Sequence, residues 1–154
     1  MNRIVTVIII CAFTLASIVL AVMGTGIYKM STDAADSRAL CNTSAYFTRI
    51  IRECEDTSAV RTASVGGSLP ALVLRADAET DADEIWYFTY NGYLRKLPVS
   101  EGQSVSPDHG TEIMPLSSSD FVFLKDELLD ISFEMENGGK SSVKLYLPDR
   151  KGDQ

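Results

Sequence analysis

The densest run of chemically capable side chains is acidic: Asp77, Glu79, Asp81, Asp83 and Glu84 fall within one short polar segment. Alternating carboxylates supply hard oxygen donors, of which calcium gathers six to eight. Asp77, Glu79, Asp81 and Asp83 are therefore the candidate metal ligands. The segment lacks the turn glycine and the distal bidentate glutamate of an EF-hand loop. A solvated hairpin tip without an ion is the simpler reading.

Other chemistry has less to work with. The single histidine, His109, has Ser104, Ser106 and Asp108 near it, a composition ordinary for a polar loop. The chain contains no Gly-x-Ser-x-Gly elbow, no glycine-rich phosphate loop and no His-Glu-x-x-His pair. Cys41 and Cys54 stand thirteen positions apart. On one straight helix that is about 19 Å along the axis, too far for a disulfide. Cys11 lies in an apolar run and reads as a small apolar residue. Without a Cys-x-x-Cys pair, no zinc site is expected. Trp86, Tyr87, Phe88, Tyr90 and Tyr93 offer a platform for a sugar or peptide, although flanking a tight turn suits them to cross-strand packing. The expectation is a protein with no catalytic residues and no cofactor.

These residues need elements to hold them. Leu40, Thr43, Phe47, Ile50, Ile51 and Cys54 recur at spacings of mostly three and four, which predicts an amphipathic helix from about Asp33 to Cys54. Beyond Asp56 the period falls to two. Ala59 to Ala63 reads as a strand before a Gly66-Gly67 turn, and Ala71 to Arg75 as a compact apolar strand. Asn91-Gly92 between Ile85–Tyr90 and Tyr93–Leu97 is the sequence of a type I′ hairpin turn. Ser100 to Gly110 reads as a polar loop and Glu112 to Met114 as a short strand. A last hairpin joins Leu128–Met135 to Val143–Leu147 through Asn137-Gly138-Gly139. Helix first and strands afterwards predicts an α+β fold, the amphipathic helix packed on an antiparallel β-sheet.

Ahead of all this lies an uncharged apolar run of nineteen residues, Ile4 to Val22. As a helix it reaches about 28 Å, enough to cross a hydrocarbon core. Val22-Met23-Gly24 is a poor small-x-small cleavage site, so the run reads as a retained anchor, not a cleaved signal. Arg3 and the amino terminus precede it, which favours a cytoplasmic amino terminus and a domain outside the cell membrane. Gly24 and Gly26 mark the end of the rod. Residues 1–30 then form tail, transmembrane helix and junction, and residues 31–154 an extracytoplasmic domain of ordinary single-domain size. A formal charge of −7 and a pI of 4.6 argue against nucleic acid, which requires a basic face. They argue equally against a domain face lying on anionic lipid.

Several of these segments match a known family: Arg38-Ala39-Leu40, Arg49-Ile50-Ile51-Arg52-Glu53-Cys54, Ala71-Leu72-Val73-Leu74, the run from Tyr87 to Leu97, Gly110 with Ile113, and Leu145-Tyr146-Leu147. From about Arg38 to Arg150 the chain resembles a family of uncharacterised bacterial single-pass membrane proteins, domain of unknown function 4860. That resemblance implies no activity. The layout of short tail, transmembrane helix prolonged into an amphipathic helix, then antiparallel sheet also resembles type IV pilin-like proteins and minor pseudopilins. It implies a non-enzymatic subunit of a type II/type IV-like secretion or pilus apparatus, with Ile4 to Val22 packed against other pilin-like subunits or a platform protein. The chain departs from that pattern in one place. Ala12-Phe13-Thr14-Leu15 copies the letters of a pilin processing site but lies inside the apolar run, and no glutamate follows within it. The alternative is a stand-alone membrane-anchored binding module, with the sheet face or the acidic loop as its ligand surface.

Overall fold

The computed structural model describes residues 13–14, 37–54, 56–77, 81–125 and 127–148. The chain divides into two compact units, Met1–Ala39 and Leu40–Gln154. In the first unit the described residues 13–14 and 37–39 are helical. The apolar run Ile4 to Val22 lies outside the described residues except for Phe13 and Thr14. Among the described residues no helix is long and apolar enough to cross a membrane.

The second unit overturns the α+β expectation of a transmembrane helix running into an amphipathic helix on one sheet. Its described residues are predominantly antiparallel β, in two sheets, with one short helix. The helix, α1 (residues 37–53), contributes its part from Leu40 onward. After a 3-10 turn at Thr57–Ala59 come β1 (Arg61–Val65), β2 (Leu69–Arg75), β3 (Glu84–Tyr90), β4 (Tyr93–Val99) and β5 (Thr111–Pro115), which pair in that order as a five-stranded sheet. A second sheet holds β6 (Ser118–Lys125), β7 (Leu128–Glu134) and β8 (Lys140–Tyr146).

Two causes underlie the correction. The apolar segment Phe121-Val122-Phe123-Leu124 forms β6, a strand that alternation alone does not announce because Val122 and Leu124 are exposed. The chain also changes sheet within two residues. Leu116 N–H donates to the Gly92 carbonyl at 2.9 Å, and the next amide, Ser117 N–H, donates to the Glu134 carbonyl of β7 at 2.8 Å. Leu116 is fully buried at this corner. Pro115 closes β5 on the edge of its sheet, where its missing N–H costs no ladder bond.

Turn chemistry explains the hairpins. Asn91 and Gly92 both have positive φ, 51° and 79°, the type I′ geometry whose twist matches the flanking strands. Asn137 at the last hairpin accepts the Gly139 N–H through Oδ1 at 2.9 Å, while Gly138 takes a φ of 81°.

The helix stripe is buried against both sheets. Thr43, Phe47, Ile50 and Ile51 are inaccessible or nearly so, and Leu40 and Cys54 pack at the ends. Phe47 has no exposed surface. Its ring centroid lies 5.9 Å from those of Phe121 on β6 and Phe133 on β7, while Tyr46 meets Tyr87 of β3 at 6.4 Å. Thr43 Oγ1 stands 3.5 Å from the Met114 sulfur of β5 and 3.9 Å from that of Met135 beyond β7.

The five-stranded sheet is buried on its other face as well. Leu72, Leu74, Ile85, Tyr87 and Leu94 join the helix core, whereas Ala71, Phe88, Leu97 and Val99 form a second cluster with Trp86, Tyr90 and Val105. Burial on both faces is why Ala71 to Leu74 reads as a continuous apolar run. Phe47→Ala is expected to cost about 3–5 kcal/mol in urea unfolding, because a fully buried aromatic packed on Phe121 and Phe133 leaves a cavity its neighbours close only in part. A loss below about 1 kcal/mol contradicts that packing.

Candidate functional site

Strand alternation sends Trp86, Phe88 and Tyr90 of β3 to the face away from α1. Register then sets their neighbours. Arg61, Val73, Trp86 and Leu97 form one row across four strands. From β1, the Arg61 guanidinium reaches over Val73 to sit 5.3 Å from the Trp86 ring centroid. Its Nη2 donates to both Glu84 carboxylate oxygens at 2.8 Å, and Trp86 Nε1–H donates to Glu84 Oε2 at 3.0 Å. Glu84 thus fixes the indole and the cation stacked on it.

The loop after β4 completes the site. Asp83 N–H donates to the Val99 carbonyl at 3.1 Å, and Asp83 Oδ2 accepts the Glu101 N–H at 2.6 Å. Ser100 Oγ donates to the Asp81 carbonyl at 3.1 Å. Between this turn and β3 lies a groove of about 420 Å³, walled by Trp86, Val99 and Val105 and rimmed by Asp83, Glu101 and Gln103.

Arg95 pins the far side of the loop. Its guanidinium lies 5.4 Å from the Tyr90 ring centroid, donates to Glu112 at 2.7 Å and reaches the carbonyls of Pro107, Asp108 and Gly110. Gly110 permits that approach: a Cβ there would stand 2.9 Å from Arg95 Cβ and 3.2 Å from Phe88 Cζ.

The four candidate ligands of the acidic segment have separate surroundings. Asp83 belongs to the groove, and Asp81 contributes its backbone carbonyl to the adjoining turn. Asp77 lines a different notch, of about 140 Å³, beneath α1. Glu79 lies outside the described residues. Among those described, no group of three or more His, Cys, Asp or Glu side chains is placed to hold a metal ion. His109 is exposed in the 3-10 turn Pro107–His109, where its N–H donates to the Ser106 carbonyl at 3.2 Å. Of the aromatic set, Trp86 borders the groove, Phe88 and Tyr87 are buried on opposite faces, and Tyr93 is exposed. Sequence reasoning missed Arg61, Glu101 and Gln103. Counting outward from Asn91-Gly92 would have set Ser100 opposite Asp83 and so brought Glu101 beside the acidic segment.

The notch beneath α1 gathers Tyr46, Cys54 and Tyr87 with Arg49, Arg75 and Lys96. Burial pushes the Tyr87 phenol far up, reinforced by Tyr46 beside it, and burial also raises Tyr46. Cys54 Sγ–H donates to the Asp56 carbonyl at 3.4 Å, and burial raises its thiol. The Ser58 hydroxyl, with the Ser58 amide and Arg75, holds the Asp56 carboxyl below the usual range. Cys41 is exposed, and it and Cys54, the two cysteines among the described residues, are free thiols.

Two outcomes follow from these contacts. Gly110→Ala should lower stability by about 1–3 kcal/mol in a denaturant melt, since Arg95 and Phe88 must both shift. An unchanged midpoint would contradict the tight fit. Tyr87 has a raised folded-state pKa, so its neutral form contributes fully below the ordinary phenol value near 10, and that contribution is lost as pH rises beyond it. Melts from pH 8 to 11 should therefore show a steeper decline for the parent than for Tyr87→Phe. Parallel curves would contradict a buried, neutral phenol.

The sequence model of a family described as Domain of unknown function (DUF4860) matches residues 39–136. Neither the curated proteins nor the solved structures contain a match to the chain.

Proposed function

The chain belongs to the DUF4860 family, and on that premise we propose that it is a membrane-attached, non-enzymatic binding module whose ligand surface is the groove beside Trp86. The observation that carries the reading is the groove itself. It is a concavity of about 420 Å³ with an aromatic and apolar wall and a few convergent polar groups, the usual make-up of a ligand site. Every residue that lines it, from Asp83 to Val105, falls within the segment that matches the family, as does Arg61, which stacks on Trp86.

Attachment to the bacterial cell membrane rests on the uncharged run Ile4 to Val22, and the extracytoplasmic placement of the domain on Arg3 ahead of that run. The filament-subunit role rested on a pilin-like helix-and-single-sheet layout. With that layout corrected, the binding module is the reading that the groove supports.

Alkaline carbonate extraction of membranes from cells expressing the full-length chain tests the attachment, with the chain expected in the pellet. Labelling intact spheroplasts with a membrane-impermeant maleimide tests the side. Cys41 is exposed, so its label should be lost in Cys41→Ser. A chain released by carbonate contradicts attachment, and labelling at Cys41 only after lysis contradicts an external domain.

A further inference from the structure

We propose that the groove beside Trp86 takes a cationic hydrogen-bond donor, the guanidinium or ammonium of a basic side chain on a partner peptide. This rests on the binding-module reading and names the ligand chemistry of the same groove.

The first support is the imbalance of hydrogen-bonding groups lining the cavity. Three donors there are already engaged: Trp86 Nε1–H on Glu84, Glu101 N–H on Asp83, and the Ser100 hydroxyl on the Asp81 carbonyl. Gln103 keeps its side-chain NH₂, while its Oε1 accepts the Ser100 N–H at 3.4 Å. Acceptors remain in excess. One Asp83 oxygen and both Glu101 oxygens have no protein donor among the described residues. A ligand that fills this cavity must therefore donate several hydrogen bonds and need accept few. Ammonium and guanidinium groups donate and cannot accept; a sugar hydroxyl does both.

The second support is charge. Asp83, Glu84 and Glu101 line the groove with no lysine or arginine among the lining residues, and Arg61 beside it neutralises Glu84. The groove is left with a surplus of two negative charges beside an indole and two valines. Such a wall suits the alkyl stem of lysine or arginine while the rim carboxylates hold its head.

The third support is Arg61 itself. It shows that this indole and a rim carboxylate can together hold a guanidinium, stacked at 5.3 Å and bonded to both oxygens of Glu84. The cavity extends that arrangement toward Glu101 and Gln103, with room for a second cation.

The chain has one tryptophan, so its emission reports this groove alone. The full-length chain in nonionic detergent is titrated with acetyl-Gly-Arg-Gly-amide, with the same tripeptide carrying citrulline, with agmatine and with chitotriose. The arginine peptide should shift the emission saturably, and its citrulline counterpart should not. Binding should weaken severalfold between 50 and 500 mM NaCl. Agmatine matching the peptide marks a free amine as sufficient, and a tighter peptide marks the peptide as the source. Glu101→Gln, at an exposed side chain without a protein donor, should lower affinity at least fivefold and leave the melting temperature in place. Equal response to the arginine and citrulline peptides overturns the cationic assignment. A response to chitotriose alone also overturns it but leaves the binding reading standing. Emission unmoved by all four probes overturns both.

Discussion

The buried helix stripe around Tyr46 and Phe47 is the contact on which the second unit depends. A three-stranded sheet and a five-stranded sheet have no hydrogen-bonded ladder in common, and the chain passes between them only at Leu116 and Ser117. β6 lies directly against β2 and β3, with the Thr89 and Ser119 hydroxyls 2.7 Å apart, and over both inner faces lies a helix whose Phe47 packs on Phe121 and Phe133 while its neighbour Tyr46 packs on Tyr87. Without that stripe, Leu129 and Ile131 of one sheet and Leu72 and Leu94 of the other would face a void, since all belong to one buried cluster. The short helix is therefore the shared centre of two sheets.

That constraint reaches the groove through β3. The strand's helix-facing side chains, Ile85 and Tyr87, are clamped in the shared core, so the opposite-facing Glu84, Trp86 and Phe88 keep a fixed height and spacing. The loop after β4 then lies over this outer face, bound through Asp83 at one end and Arg95 at the other. A polar loop closing an apolar cluster leaves a cavity where the fit is incomplete, and here that cavity opens beside the indole. A site built on strands buried on both faces is pre-organised, with little ordering left for a ligand to impose.

Much of the local structure was legible in the residues. Asn91-Gly92 and Asn137-Gly138 announce their turns because few residues accept positive φ, and Leu40 to Cys54 marks its buried stripe by spacing. Sheet membership was not legible. Periodicity reports which residues of a strand share a face, yet says nothing of which sheet the face joins, and Pro115 and Ser117 at the Leu116 corner mark a break without saying that the chain changes sheet there. The strand β6 escaped for a related reason: Phe121 is buried while Val122 and Leu124 are exposed apolar residues, so hydrophobicity along it does not alternate. For the groove, the acidic segment drew attention by composition. Only the hairpin register shows that Asp83 has Glu101 as its neighbour and that Asp77 belongs elsewhere.

The shared core has a direct experimental signature in native-state hydrogen exchange along a denaturant series. If both sheets rest on the helix stripe of Tyr46 and Phe47, the amides of Leu72 and Phe88 in the larger sheet and of Ile131 in the smaller one should exchange through one global opening, with the same free energy and the same denaturant slope. Exchange of Ile131 at a markedly lower free energy, through an opening that leaves Leu72 and Phe88 protected, would mean that the three-stranded sheet unfolds independently, and would contradict the helix as the common centre of the fold.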